Sequence, residues 1–99
     1  MIEVRETEAF ARWFRRLRDP RARARILVRI RRLSLGHAGD ARSIGEGVSE
    51  LRIDTGPGYR VYFTARSRYV VVLLAGGDKG SQERDVRRAL ELARRLRRG

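Results

Sequence analysis

ELRIDTGPGYRVYFTARSRYVVVLLAGGDKGSQ, residues Glu50 to Gln82, is the stretch that decides how this chain folds. Glu50 to Asp54 alternates charged and apolar residues, Thr55-Gly56-Pro57-Gly58 reverses the chain, and Tyr59 to Ala65 continues as a second strand. A turn around Ser67 leads to Tyr69 to Ala75, where the unbroken apolar run from Val70 to Leu74 predicts a strand covered on both faces. Successive side chains of a strand point to opposite faces, so Leu51 and Ile53 fall together with Tyr59, Val61 and Phe63. Glu50, Arg52, Arg60 and Tyr62 fall on the other side. With the apolar set packed on helices, this second set is expected on an open sheet face, where an arginine beside a tyrosine can hold a phosphate and stack a base. Lys79, the only lysine, stands at the mouth of the loop after the last strand.

Upstream, Val48 begins the first of these strands. Gly45-Glu46-Gly47 is a turn, Ser43-Ile44 a short strand, and Gly36-His37-Ala38-Gly39-Asp40 a turn-rich connection. Earlier still, Ile2 to Arg5 alternates as a strand and Thr7 offers an N-cap to a helix whose Phe10, Trp13, Phe14 and Leu17 share one face. Asp19-Pro20 closes that helix and opens a second, in which Ala22, Ile26, Ile30 and Leu33 form a stripe ended by Gly36. Downstream, Ser81 is expected to cap a C-terminal helix with Val86, Ala89, Leu90, Ala93 and Leu96 on its apolar side. The order is βααββββα. It predicts one α+β domain over residues 1–99, an antiparallel sheet packed on an N-terminal antiparallel helical hairpin, with a C-terminal helix.

Ninety-nine residues suit one modest core. Without cysteine there is neither a disulfide framework nor a thiolate metal site. The N-terminal MIEVRETE carries no basic leader or apolar core, and no apolar run approaches the roughly 20 residues that span a bilayer, so a cytoplasmic protein without a membrane role is expected. The formal charge is +12, and all but one of the 24 basic residues are arginine. Such a field draws polyanions, which makes nucleic acid or an acidic protein the expected partner. His37 sits in a Gly-rich turn without metal co-ligands, and Gly76-Gly77-Asp78-Lys79-Gly80 lacks the spacing of a nucleotide phosphate loop, with Asp78 read as orienting Lys79 or shaping the turn.

Three segments, GVSELRI at Gly47 to Ile53, GPGYRVYF at Gly56 to Phe63 and LLAGGDKGSQERDV at Leu73 to Val86, resemble the RelE/ParE superfamily of small bacterial toxins, and within it the HigB-like addiction module killer branch. The resemblance covers nearly the whole chain and implies the RelE/ParE-like fold. It also implies a type II toxin–antitoxin toxin held in a hetero-oligomer by a cognate antitoxin, often a helix-turn-helix protein that carries the complex to operator DNA. RelE-like and HigB-like members cut messenger RNA on the ribosome, whereas ParE-like members poison DNA gyrase. By position, Arg60 matches the arginine that holds the scissile phosphate in the nucleases, Arg52 the basic residue of the preceding strand, and Lys79 the basic residue after the last strand. The chain departs from the RelE pattern at Val48 and Glu50, where lysines stand, and at Val86 and Arg87, where a catalytic tyrosine or histidine is expected.

A nuclease of this kind would use the ribose 2′-hydroxyl to attack the adjacent phosphate, with no metal or cofactor required. Arg52 and Arg60 suit charge stabilisation, since arginine stays protonated and its fork matches phosphate. Proton transfer is then left to Lys79, whose pKa clustered arginines would lower, or to Glu50 as base, with Tyr62 as stacking platform or donor. The arginine-rich helices could grip ribosomal RNA or dock an acidic antitoxin segment. Two alternatives remain at this level: a gyrase inhibitor acting through its helices, and a nucleic-acid-binding module without catalysis.

Overall fold

The computed structural model describes all 99 residues, Met1–Gly99. In chain order the elements are strand β1 (Glu3–Glu6), helices α1 (Glu8–Arg16) and α2 (Pro20–Ser34), strands β2 (Ala41–Gly45), β3 (Val48–Ile53), β4 (Tyr59–Ala65) and β5 (Val70–Asp78), a 3-10 turn at Lys79–Ser81, and helix α3 (Gln82–Arg98). The strands form one five-stranded sheet in the order β1-β5-β4-β3-β2. The β2 to β5 meander is antiparallel, but β1 runs parallel to β5, so the sheet is mixed rather than wholly antiparallel. The cause is connectivity. The chain leaves β1 through two helices and returns at the far edge, and only β5, arriving last, reaches β1.

The first helix starts where Thr7 accepts the amide of Phe10, and the second where Asp19 accepts the amides of Arg21 and Ala22 ahead of Pro20. Together α1 and α2 cover one sheet face. Phe10, Ala22, Ile26 and Leu33 meet Leu51, Ile53, Val61 and Leu73 there, and Trp13 packs edge-on to Tyr59. Arg23 joins the two helices, donating to the Phe14 and Leu17 carbonyls while its guanidinium lies 4.3 Å over the Phe14 ring.

The opposite face is not open. Helix α3 lies across it, burying Val48, Tyr62, Val72, Leu74 and Ala75 under Ala89 and Ala93. Its C-terminal half is tied to the β2–β3 turn by Arg94 and Arg97, which both donate to Glu46. The expectation of a bare second face fails because the apolar stripe of α3 needs cover and β5 supplies apolar residues on both sides.

Strand β5 also runs longer than its apolar core suggests. Its register against β4 skips Leu74, a bulge that sets Leu74 and Ala75 toward the same cluster and re-phases the strand from Gly76 onward. Gly76 then faces α1, where an added Cβ would lie 2.1 Å from the Trp13 ring, and Gly77 faces α3, where it would lie 1.8 Å from the Asp85 carboxylate. The glycine pair is therefore strand, needed for close approach on both faces, not loop. The cap ahead of α3 also differs: Asp78 accepts the amides of Gly80 and Ser81, while the Ser81 hydroxyl accepts the Asp78 amide and donates to Asp85, a capping box on the 3-10 turn rather than a cap by Ser81 on α3 itself. No helix is long and apolar enough to cross a membrane.

Candidate functional site

Strand pairing places Arg52 directly opposite Arg60, and Glu50 opposite Tyr62. Like charges paired across strands destabilise a sheet unless something screens them. Here each arginine has its own carboxylate. Arg52 donates through Nε and Nη2 to Asp40 Oδ1 at 3.0 and 2.7 Å, and Arg60 Nη1 lies 3.6 Å from Glu50 Oε1. The two cations diverge in exposure accordingly, with the Arg52 side chain 41% and the Arg60 side chain 14% exposed.

Glu50 is wholly buried, at the N-terminal end of α3. Its carboxylate accepts from Tyr62 Oη at 3.2 Å, Gln82 Nε2 at 2.8 Å and Arg42 Nε at 3.2 Å, besides its pairing with Arg60. Four partners on one buried carboxylate match what an internal charge requires. They also remove Glu50 from contact with a ligand, so the role of surface base expected for it does not stand; it holds Arg60 instead. Tyr62 is equally buried and its phenol is raised well above the ordinary tyrosine range, first by burial and then by the neighbouring Glu50 charge. A ring sealed beneath α3 cannot stack a base, and the RNA-stacking role expected of Tyr62 is withdrawn.

What the second face does present lies beyond the N-terminus of α3. Arg52, Arg60 and Lys79 line one open pocket together with Asp40, Asp54 and Tyr59. Lys79 arrives there because the Asp78 cap turns the chain sharply after β5, next to Gly58, whose φ of +81° completes the β3–β4 turn and whose added Cβ would lie 3.8 Å from that of Lys79. Lys79 is exposed and forms no ion pair within the protein, and neither does Asp54. Arg60 carries a further peculiarity. Its Nε is buried and finds no acceptor within the protein, a loss worth about 1–3 kcal/mol when left unmade. A planar guanidinium held by Glu50, with the remaining exposed part of the side chain at an open pocket beside Arg52 and Lys79, suits an oxyanion such as phosphate.

Sequence reasoning thus brought three of its five residues to one place. It missed Asp40, which no strand pattern ties to Arg52 from twelve residues away, and Gln82, whose only signal was a polar residue at the start of an amphipathic helix. Tyr59 was placed in the core and does pack there, yet it also forms one wall of the pocket; its phenol is raised chiefly by burial. Nowhere do three or more histidine, aspartate or glutamate side chains gather as they would around a metal ion.

A protein-family model described as "Phage derived protein Gp49-like (DUF891)" matches residues 12–98. A Haemophilus influenzae protein, described as "Uncharacterized protein", is 44% identical over 95 residues, covering 96% of this chain and 96% of its own. No solved structure matches.

Proposed function

The chain belongs to the Gp49-like family of phage-derived proteins, and on that premise we propose that it is the toxin of a type II toxin–antitoxin pair that cleaves messenger RNA on the ribosome. The partly exposed Arg60, held by Glu50 at the wall of the Arg52–Lys79 pocket, is the observation that carries this reading. The resemblance to the HigB-like branch of the RelE/ParE superfamily supports it, as does the +12 charge.

In this reading the scissile phosphate lies between Arg60 and Arg52, which offset the charge that grows on its non-bridging oxygens. The 2′-oxygen bonds to phosphorus, the bond to the 5′-oxygen breaks, and the products are a 2′,3′-cyclic phosphate and a free 5′-hydroxyl. One proton must leave the 2′-hydroxyl and one must reach the departing 5′-oxygen. Asp54 and Lys79 line the pocket and hold no partner, so Asp54 takes the place of Glu50 as acceptor and Lys79, the proton-transfer residue expected from the sequence, serves as donor in place of Tyr62. Arg52 must release Asp40 to engage the phosphate fully. An antitoxin that covers the pocket would silence it, forming the hetero-oligomer that in turn meets operator DNA.

Purified protein added to ribosomes translating a defined message tests this. Wild type is expected to cut the message, and Arg60→Ala to cut it about 10²–10³-fold more slowly, the usual effect of losing one charge-stabilising donor. Equal cleavage by both would remove Arg60 from the chemistry.

A further inference from the structure

Beside the pocket, and sharing Asp40, Arg52 and Asp54 with it, lies a second depression walled by Arg25, Arg29 and Arg32 of α2. Spacings of four and three residues put these arginines on one helical face. Their duties differ. Arg29 serves the fold, donating to the carbonyls of Ala38, Asp40 and Arg52 and thereby fastening the α2–β2 connection to β3. Arg25 and Arg32 are exposed and make neither an ion pair nor a side-chain hydrogen bond within the protein, and of the arginines so left free they are the two that line this depression.

From this continuity we infer that α2 carries a second phosphate-binding site, in which Arg25 and Arg32 hold backbone phosphates of the same single-stranded RNA outside the cleaved step. The inference rests on the reading of the Arg52–Arg60–Lys79 pocket as an RNA site and extends it to nucleotides flanking that step. Seven residues separate Arg25 from Arg32, roughly 10 Å along the helix, so one phosphate cannot satisfy both. Arg52 borders both depressions and, once released from Asp40, links Lys79 to α2, while Asp40 and Asp54 stand at the same junction. An acidic helix is the competing occupant for any arginine row. Ile53 is the one apolar residue lining the α2 depression; the half-exposed Val28 on the same helical face is a single apolar side chain, fewer than the several anchors such a helix uses.

Fluorescence anisotropy with 2′-O-methyl oligouridines, which lack the attacking hydroxyl, separates the possibilities. For a dodecanucleotide, the double variant Arg25→Ala/Arg32→Ala is expected to bind at least tenfold more weakly in dilute salt. The slope of log affinity against log salt should also fall by about 1.4, since each lost phosphate contact on a single strand is worth about 0.7. A trinucleotide, too short to reach α2, should bind both proteins alike, whereas Arg60→Ala should weaken both ligands. An unchanged affinity and slope for the dodecanucleotide would overturn the inference while leaving the pocket intact. So would a polyglutamate peptide that needs Arg25 and Arg32 for binding while RNA does not. Failure of wild type to bind either oligonucleotide would instead defeat the pocket reading on which this one rests.

Discussion

Glu50 is the residue around which the site is organised. Exposed-looking in the sequence, with charged neighbours at Arg52 and Asp54, it is the one charged side chain at zero exposure. Alternation cannot tell a solvated charge from a buried and compensated one, because both occupy the non-core parity of a strand. The partners that make burial tolerable, Gln82 and Arg42, come from other elements. Glu50→Ala should therefore lower stability in urea unfolding by about 3–5 kcal/mol, since it strands the mostly covered Arg60 cation and the buried Tyr62 hydroxyl, while Glu50→Gln should cost less. A change within about 0.5 kcal/mol for both would be the behaviour of a surface carboxylate. Tyr62 gives a separate, pH-dependent sign. The folded phenol keeps a proton that the unfolded one releases near pH 10, so stability is full below that pH and falls as pH rises above it. The alkaline loss of melting temperature should be smaller in Tyr62→Phe than in wild type; equal losses would mean the phenol is not held by burial and Glu50.

Among the elements, the strands were the most legible and the packing of α3 the least. Turn residues and period-two alternation in Val48 to Ala65 placed β3 and β4 in their true pairing, and Thr7 and Asp19 announced their helices by capping chemistry. The apolar stripe of α3 was equally plain, but a stripe states that a helix needs cover without saying which surface provides it. β1 fared likewise: four residues of alternation show a strand and leave its partner and direction open. The glycine pair in β5 misled because Gly-Gly ahead of Asp reads as loop chemistry, whereas both glycines answer to side chains outside the strand, Trp13 and Asp85. Gly76→Ala should destabilise by about 1–3 kcal/mol, since the Trp13 ring is rigid and packed between Phe10, Phe14 and Tyr59. Chemical denaturation would show it, and an unchanged midpoint would mean that α1 can lift from β5 without loss.

Across the whole molecule the charge was legible as a sum and not as a map. Composition gives +12, but only the fold reveals which arginines a carboxylate holds, Arg52 and Arg60 in the pocket among them, and that Lys79, Arg25 and Arg32 at and beside it form no ion pair. A field of this strength draws a polyanion from a distance and weakens as salt rises. The central claim is that the Arg52–Lys79 pocket cuts RNA at Arg60. The measurement that meets it most directly is a map of new RNA 5′ ends after brief induction of the chain in cells without an antitoxin, with Arg60→Ala in parallel. New ends within translated messages that disappear in the variant are the expected result; growth arrest with messages intact, or ends unchanged by Arg60→Ala, would contradict the account.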